Sequence, residues 1–292
     1  MADTTHNIAI NKATNIGKNI GIIGGGFVGG ATALFSSEKY NVIIYDLMPE
    51  RCSPPYTTFD DILKTLCVFI CVPTPITTTN NEQYGMCNTK IVEKVIKQLK
   101  DTNYQGHIIV RSTVPIGFCD SFNVNFMPEF LTEKNWRNDF INNKEWFLGV
   151  QNDDVIPLIV DIIQNSQVTN KTLKTHKGCK EMEYIKYFRN CILATKVSFC
   201  NEMYQLASTL QINYNEILPL LTQDPRIGSS HTSVPGHDGH KGFGGTCFPK
   251  DMASLSYQFK EHNIPSYVIS GAIKRNEEID RPEKDWLDYP SV

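Results

Sequence analysis

Short runs of apolar residues alternate with segments of helical spacing through the first part of the chain. The runs are near-continuous, as in strands that a parallel sheet buries on both faces, and they predict strands over 18–23, 41–45, 67–72, 107–111 and 146–149. Apolar residues at every third or fourth position predict helices over 89–100 and 155–163. Because strands and helices alternate, the sequence predicts an α/β fold with a doubly wound parallel sheet.

The strand pattern ends near residue 177, and 181–210 predicts one long helix. We therefore expect four segments: a polar N-terminal extension over 1–17, the sheet domain over 18–177, an all-helical central domain over 178–280 and a C-terminal tail over 281–292. The apolar residues of the long helix exceed what one neighbour covers: Tyr184, Tyr187, Phe188, Cys191, Ile192, Val197, Phe199, Met203 and Leu206. They predict a homodimer through this helix; packing on the sheet domain is the alternative.

Composition narrows the class of protein. The 292 residues are 41% hydrophobic and 20% charged, with a formal net charge of −3, as in an ordinary globular protein. The sequence lacks the basic stripe that is typical of nucleic-acid-binding proteins, and its apolar runs are too short to cross a membrane. The polar N-terminus lacks a signal peptide, so we expect a cytoplasmic protein. Nine scattered cysteines without a CxxC pair are expected to be mostly buried thiols.

A glycine-rich turn follows the first predicted strand. Gly24, Gly26 and Gly29 fit the pattern G-x-G-x-x-G, in which glycines allow a tight turn, a close approach to a pyrophosphate and close packing of helix on strand. The second strand ends at Asp46, about twenty residues on, where a carboxylate accepts hydrogen bonds from ribose hydroxyls. The pattern predicts a dinucleotide site that favours NAD over NADP, because Asp46 repels a 2′-phosphate.

Three loops and one helix carry further candidate residues. The loops 73–75 and 111–115 follow strand ends directly, where open α/β sheets bind ligands. In 128–133, Glu129 and Glu133 share one face if the segment is helical. Lys186 and Asn190 stand four residues apart on the long helix. Taken one at a time, each loop is more typical of a turn or a solvated helix start, and the Lys186–Asn190 pair of an exposed ammonium and amide.

The segment 242–251, GFGGTCFPKD, is the most distinctive in the sequence. Its glycines permit a ligand to approach the backbone closely, and Pro249 suits the first turn of a helix expected over 252–261. Cys247 then lies just before a helix N-terminus, where backbone charge stabilises a thiolate. Asp251 is placed to orient a neighbouring ammonium group.

Two other types of functional site fit the sequence poorly. His231, His237 and His240 with Cys247 match no common zinc spacing, so we expect no metal. A serine or cysteine hydrolase lacks support, since the chain has no GxSxG motif and the cysteine has no evident histidine base.

Taken in order, GGGFVGG, FICVPTP, RSTVPIGF, MPEFLTE, EYIKYFRN and GFGGTCFPKD resemble the motifs of the UDP-glucose/GDP-mannose dehydrogenase family. The resemblance implies a Rossmann-like first domain, NAD as cofactor and a UDP-sugar, most simply UDP-glucose, as substrate. It implies oxidation of the C6 alcohol to a carboxylate in two NAD-dependent steps, with a thiohemiacetal and then a thioester on Cys247.

The resemblance also implies residue roles. Lys186 and Asn190 stabilise the oxyanion, Asp251 holds Lys186 or a water, and Thr113 and Glu133 position water. The implied cofactor-binding residues are Gly24, Gly26, Phe27, Val28, Gly29, Asp46, Thr74 and Thr113. The implied substrate-binding residues are Glu129, Phe130, Leu131, Lys186, Asn190, Arg226, Phe243, Gly244 and Gly245.

The sequence departs from the family pattern in two places. The connection from Asp46 to Val68 is short, and after 270–279, which resembles the end of the family's central helix, the UDP-binding domain is missing. A second hypothesis therefore stays open: a catalytically weak NAD-binding partner or regulator of a full-length enzyme. Oxidation of another nucleotide sugar is a further alternative, and so is a hydroxyacid dehydrogenase, which also uses a lysine and an asparagine but has no need of Cys247.

Overall fold

The computed structural model describes residues 18–78 and 83–287. The expected extension over 1–17 and the last five residues of the expected tail lie outside the described residues. By compactness the described chain divides into two units. The first unit holds 18–74 and 88–186, and the second holds 75–78, 83–87 and 187–287.

The first unit is built on a seven-stranded sheet in the order β2-β1-β3-β4-β5-β6-β7. The strands are β1 (Asn19–Ile23), β2 (Asn41–Tyr45), β3 (Cys67–Ile70), β4 (His107–Val110), β5 (Asn125–Phe126), β6 (Trp146–Val150) and β7 (Leu173–Lys177). The first five are parallel, with Ile22 opposite Ile44 and Phe69. This confirms the Rossmann-like fold class.

The sequence predicts a parallel sheet, and this prediction is wrong for one pair of strands. β6 pairs with β5 in the antiparallel direction, and β7 is parallel to β6. The physical reason is the connection over 127–145, which joins the end of β5 to a strand that begins at the same edge of the sheet. The connection therefore stays at the carboxyl edge of the five parallel strands, and it contains Glu129 and Glu133.

The helices of the first unit are α1 (Phe27–Thr32), α2 (Phe59–Ile62), α3 (Lys90–Asp101), α4 (Phe118–Ser121), α5 (Trp136–Ile141) and α6 (Val155–Asn165). Buried side chains fill both faces of the sheet. One face carries an aromatic group in which the ring of Phe35 meets Phe140 at 4.8 Å and Trp146 at 5.1 Å. The other face includes Ile96 and Leu99 of α3. A sheet covered on both faces explains the near-continuous apolar strands.

The predicted long helix is α7 (Lys180–Thr209), thirty residues that begin in the first unit and continue in the second. Its first turns are tied to the sheet domain by buried Glu183, whose carboxylate accepts hydrogen bonds from the backbone N–H of Gly117 at 2.5 Å and of Cys119 at 2.8 Å. These bonds satisfy N–H groups at the start of α4, which have no partner within their own helix.

The second unit is helical, as predicted. After α7 come α8 (Tyr214–Leu221), α9 (Phe248–Glu261) and α10 (Tyr267–Arg275), then a π-helical turn (Asn276–Asp280) and a 3₁₀ turn (Asp285–Leu287). Phe243 packs in a small core with Cys191, Met252 and Ala272. No helix within the described ranges is both long enough and apolar enough to span a membrane.

Candidate active site

The glycine turn after β1 is shaped by backbone contacts. Gly24 has φ +101° and donates from its N–H to the Tyr45 carbonyl at 2.9 Å. A Cβ at Gly24 would collide with the Cys71 carbonyl oxygen, and one at Gly29 with the carbonyl oxygen of Gly24. Both positions therefore require glycine, for the tight turn and for the close approach of α1 to β1, as the spacing predicts.

Asp46 stands where the sequence places it, directly after β2. Its Oδ2 accepts a hydrogen bond from the N–H of Gly25 at 2.6 Å, and its Oδ1 accepts from the N–H of Met48 at 2.9 Å. The carboxylate is thereby fixed beside the glycine turn. This arrangement fits an adenosine ribose, because an acidic side chain next to the turn accepts its hydroxyl protons. Gly26, Phe27 and Val28 form the start of α1 in the same turn.

The loops after β3 and β4 are joined by Ser112, which the sequence analysis did not single out. Its hydroxyl donates to the Val72 carbonyl at 2.7 Å, and its N–H donates to the Ile70 carbonyl at 3.1 Å. Ser112 thus fixes the two loops that carry buried Thr74 and half-buried Thr113. The signal available in the sequence was its place one residue before Thr113 in RSTVP.

Glu129 and Glu133 differ sharply. The segment 128–132 is not helical and Glu133 lies in a turn, so the two carboxylates do not share a helix face. Glu129 is buried and forms an ion pair with Lys186 of α7, with both side chains at most 5% exposed. The Lys186 ammonium also donates to the Glu129 carbonyl at 2.8 Å and lies 5.8 Å from the Phe130 ring centre. Glu133 is exposed, and Leu131 donates from its N–H to Glu129 Oε2.

Arg111, at the end of β4, is a second buried cation. Among the described residues, its Nε and Nη1 atoms are buried without a hydrogen-bond partner. Burial lowers the pKa of Arg111, and the charges of Cys71 and Glu129 oppose that shift. Burial raises the pKa of Cys71 to about 11, so this cysteine is a neutral thiol at pH 7 and a poor nucleophile.

Cys247 differs from the other cysteines. Seven of the nine are buried, whereas Cys52 and Cys247 are half-buried. Helix α9 begins at Phe248, earlier than the predicted Met252, and Cys247 is its N-cap residue with Pro249 in the first turn. Cys247 therefore caps the N-terminal end of a fourteen-residue helix, where backbone N–H groups favour negative charge.

A network of polar groups lies one turn along α9. Asp251 is 1% exposed; it accepts hydrogen bonds from Asn190 Nδ2 at 2.6 Å and from Lys250 Nζ at 2.6 Å. The expectation that Asp251 orients an ammonium is met by Lys250, whereas Lys186 pairs with Glu129. Burial favours the neutral form of Lys250, but the Asp251 carboxylate outweighs it and raises the pKa of the ammonium.

Lys250 is the residue that the sequence analysis missed in this network. Its ammonium is held by Asp251 in the first turn of α9, the turn that follows Cys247. The signal was present, since Lys250 follows Cys247 by three residues and therefore shares its face of the helix.

The glycines before Cys247 have different reasons to be glycine. A Cβ at Gly242 would meet the Asn276 side chain, and one at Gly244 would lie 2.6 Å from both terminal nitrogens of Arg281. Only Gly245, at φ +73°, has open space where its Cβ would stand. At Gly242 and Gly244 the missing side chain therefore leaves room for protein side chains, whereas Gly245 borders free space.

Arg226 lies on the surface, 88% exposed, where it makes a two-pronged ion pair with Asp224. The ring centres of His231 and Phe248 lie 5.5 Å apart. Burial of the His231 imidazole lowers its pKa. Neither residue contacts the Asn190–Asp251 network through a described hydrogen bond.

Two stretches of the chain match known family models. Residues 56–167 match the NAD binding domain, and residues 180–278 the central domain, of the UDP-glucose/GDP-mannose dehydrogenase family. Together these stretches make up more than two thirds of the chain. The chain belongs to the UDP-glucose/GDP-mannose dehydrogenase family. NAD is accordingly the cofactor of the first unit, and the glycine turn with Asp46 fits it.

Individual proteins that are similar to this chain are consistent with this family. The UDP-glucose 6-dehydrogenase of Rickettsia prowazekii is 32% identical over 222 residues, which are 72% of this chain and 48% of that protein. The structure of a UDP-glucose dehydrogenase from Pyrobaculum islandicum matches at a TM-score of 0.77 with 22% identity, covering 89% of this chain and 68% of that one.

A 3-hydroxyisobutyrate dehydrogenase of Mycobacterium tuberculosis matches at a TM-score of 0.64 with 14% identity, covering 88% and 92%; this similarity concerns the fold alone. The chain spans about half the length of the curated relatives that it matches.

Proposed function

We propose that this chain carries the NAD-dependent catalytic part of a nucleotide-sugar dehydrogenase that oxidises the C6 alcohol of UDP-glucose to the carboxylate of UDP-glucuronate. Bound NAD supplies the acceptor for two hydrides, one per oxidation step. The overall change consumes one alcohol, two NAD and one water, and yields one carboxylate, two NADH and three protons. The observation that carries the proposal is Cys247 at the N-terminus of α9, one turn before Asp251, which holds Asn190 and Lys250.

Cys247 is the nucleophile in this proposal. Its thiolate adds to C6 of the aldehyde left by the first oxidation, so that a C–S bond forms and the carbonyl oxygen takes up a proton. Loss of the second hydride leaves a thioester, and water then cleaves the C–S bond and returns the thiol. The helix N-terminus and the Lys250 ammonium support this role because both favour the thiolate over the thiol.

Asn190 and Lys186 stabilise the oxygen on C6 while it carries negative charge. Asp251 fixes the Asn190 amide through a 2.6 Å bond, and Lys186 stands one helical turn before Asn190 on α7, held by Glu129. Donors that are held in place before the reaction cost no reorganisation when the charge develops. Thr113 and Glu133 are assigned the positioning of water, and Arg226, Phe243, Gly244 and Gly245 the binding of the sugar nucleotide.

The resemblance to UDP-glucose 6-dehydrogenases supports UDP-glucose as the substrate, and the reduced thiol that the mechanism needs suits the cytoplasm. The test is to mix the purified chain with UDP-glucose and NAD and to follow NADH absorbance. Two NADH per sugar are expected, with loss of turnover in Cys247→Ala and Cys247→Ser. Cys200→Ala, at a buried cysteine of α7, is the control and should stay active.

Two results would point elsewhere. A fully active Cys247→Ser variant would favour a hydroxyacid dehydrogenase, whose fold this chain shares. Tight binding of NAD without turnover of any nucleotide sugar would favour the partner or regulator hypothesis.

A homodimer through α7 is the second part of the proposal. Seven apolar residues spaced by three, four or seven positions are between 42% and 61% exposed: Tyr184, Phe188, Ile192, Phe199, Met203, Leu206 and Leu210. One stripe of this length is typical of a helix that packs on a second copy. Light scattering should report a dimer for the unaltered chain and a monomer for Phe199→Glu. A monomeric unaltered chain would contradict this assignment.

A further inference from the structure

Asn276 holds the main chain of Phe243 at both ends. Its Oδ1 accepts from the Phe243 N–H at 2.7 Å, and its Nδ2 donates to the Phe243 carbonyl at 2.9 Å. Asn276 is fully buried, so both bonds lie away from water. Only an amide of this length offers one acceptor and one donor to the same residue, which makes the contact specific for asparagine.

Arg281 supports the next glycine. It is 2% exposed and its guanidinium lies against Gly244, where a Cβ would collide with it. Two carboxylates fix it: Asp285 accepts from Nε and Nη2, each at 2.6 Å, and Asp238 accepts from Nη1 at 2.7 Å. Such forked bonds between charged groups are stronger and more directional than neutral ones.

The loop that leads into Cys247 needs such support. The segment 242–245 contains three glycines, and two of them, Gly242 and Gly245, have positive φ. A segment of this composition has many conformations open to it, because glycine restricts the backbone least. Contacts from outside the segment must therefore select one conformation.

We propose that Asn276 and Arg281 are positioning residues that select this conformation and so hold Cys247 at the start of α9 in its reactive orientation. The segment 276–285 is then a functional part of the chain and not an unstructured end. The consequence for turnover rests on the proposed function, whereas the effect on the Cys247 thiol does not.

The test is the Asn276→Asp variant, which keeps the size of the side chain but replaces the donor with a second acceptor facing the Phe243 carbonyl. Its control is Asn215→Asp, an exposed asparagine of the same unit. Iodoacetamide labelling of the Cys247 peptide, followed by mass spectrometry across pH 6 to 9, measures the accessibility and ionisation of the thiol, both of which depend on its placement at the helix start. We expect labelling about tenfold slower in Asn276→Asp and unchanged in the control.

Turnover gives the second readout. We expect kcat to fall by about tenfold or more in Asn276→Asp with KM for NAD nearly unchanged, because a small misplacement of a reacting group costs about this much. Arg281→Lys keeps the charge but loses the fork, and should show a smaller loss in both readouts. Thermal unfolding of each variant establishes that it is folded.

Unchanged labelling of Cys247 in both folded variants would overturn the proposal, and so would a fall in kcat without a change in labelling. If the unaltered chain shows no turnover at all, the proposed function fails, and labelling alone still decides the role of Asn276 and Arg281.

Discussion

Lys186 and Glu129 form an ion pair in which neither side chain is more than 5% exposed. Breaking such a pair by removing one partner leaves a buried charge, which costs about 3–5 kcal/mol. We expect Lys186→Met to destabilise the protein by that amount in urea unfolding. Glu145→Gln, which breaks the exposed pair with Lys174, should cost less than about 1 kcal/mol.

The double variant Lys186→Met/Glu129→Gln separates the pair from its surroundings. Because it removes both charges of the pair, it should recover part of the stability that Lys186→Met loses, while turnover stays abolished. Equal instability of the single and double variants would contradict the account of a charge-paired site.

Gly29 and Gly30 make a matched pair on α1. A Cβ at Gly29 would collide with the Gly24 carbonyl oxygen, whereas at Gly30 its nearest neighbour is Trp136 Cη2 at 3.8 Å, an ordinary contact. We expect Gly29→Ala to destabilise the protein by about 1–3 kcal/mol and to weaken NAD binding. Gly30→Ala should be neutral or more stable by about 0.5–1 kcal/mol, since alanine is the better helix former. Calorimetric titration with NAD and thermal unfolding measure both effects.

Asp46 is expected to set the choice between NAD and NADP. A hydrogen bond to a charged group contributes about 1.5–3 kcal/mol, so Asp46→Asn should weaken NAD binding by about ten- to a hundredfold. NADP binding should weaken less, because the repulsion of its 2′-phosphate is removed. The bond from the Gly25 N–H is kept, because the asparagine side-chain oxygen is also an acceptor. Equal loss of affinity for both dinucleotides in fluorescence titration would argue against this role.

The ion pairs of Arg281 with Asp285 and Asp238 predict that the protein loses stability at acidic pH. Its hydrogen bonds lower the pKa of Asp285 below 3.8, and the same guanidinium outweighs burial to lower the pKa of Asp238. A carboxyl whose pKa is lower in the folded state stabilises the protein above its unfolded pKa, and this contribution is lost as the pH falls through the folded value. We expect Asp285→Asn to be less stable at pH 7 by about 1–2 kcal/mol and the difference to shrink below pH 4. Urea unfolding at pH 7, 4 and 3 would measure it; a constant difference would refute the assignment.

The elements that the sequence predicts well are those with a clear apolar pattern. β3 (CVFI) and α7 carry strong apolar patterns and appear within one or two residues of their expected limits. β7, with the sequence LKTHK, has four exposed residues and offers no apolar run to recognise. β5 has only two residues, and the reversal of β6 depends on the path of 127–145, which no local pattern encodes.

The candidate site shows the same division. The glycine turn, Asp46 and Cys247 are defined by local spacing, so the sequence predicts their local structure. The partners of Asp251 and Lys186 depend on which distant side chains the fold brings together, and Asn276 and Arg281 lie beyond the recognised motifs. Lys250 stood within a recognised motif, yet its role depends on the helix starting at Phe248 and not at Met252.

The burial of seven thiols has a practical outcome for anyone who works with this chain. With Cys52 replaced by serine, Cys247 is the one cysteine thiol that is not buried. A maleimide dye or an electrophilic sugar analogue added to a crude extract would then report occupancy of the proposed reaction centre without purification, and competition by NAD or a candidate sugar nucleotide would rank ligands in a single gel.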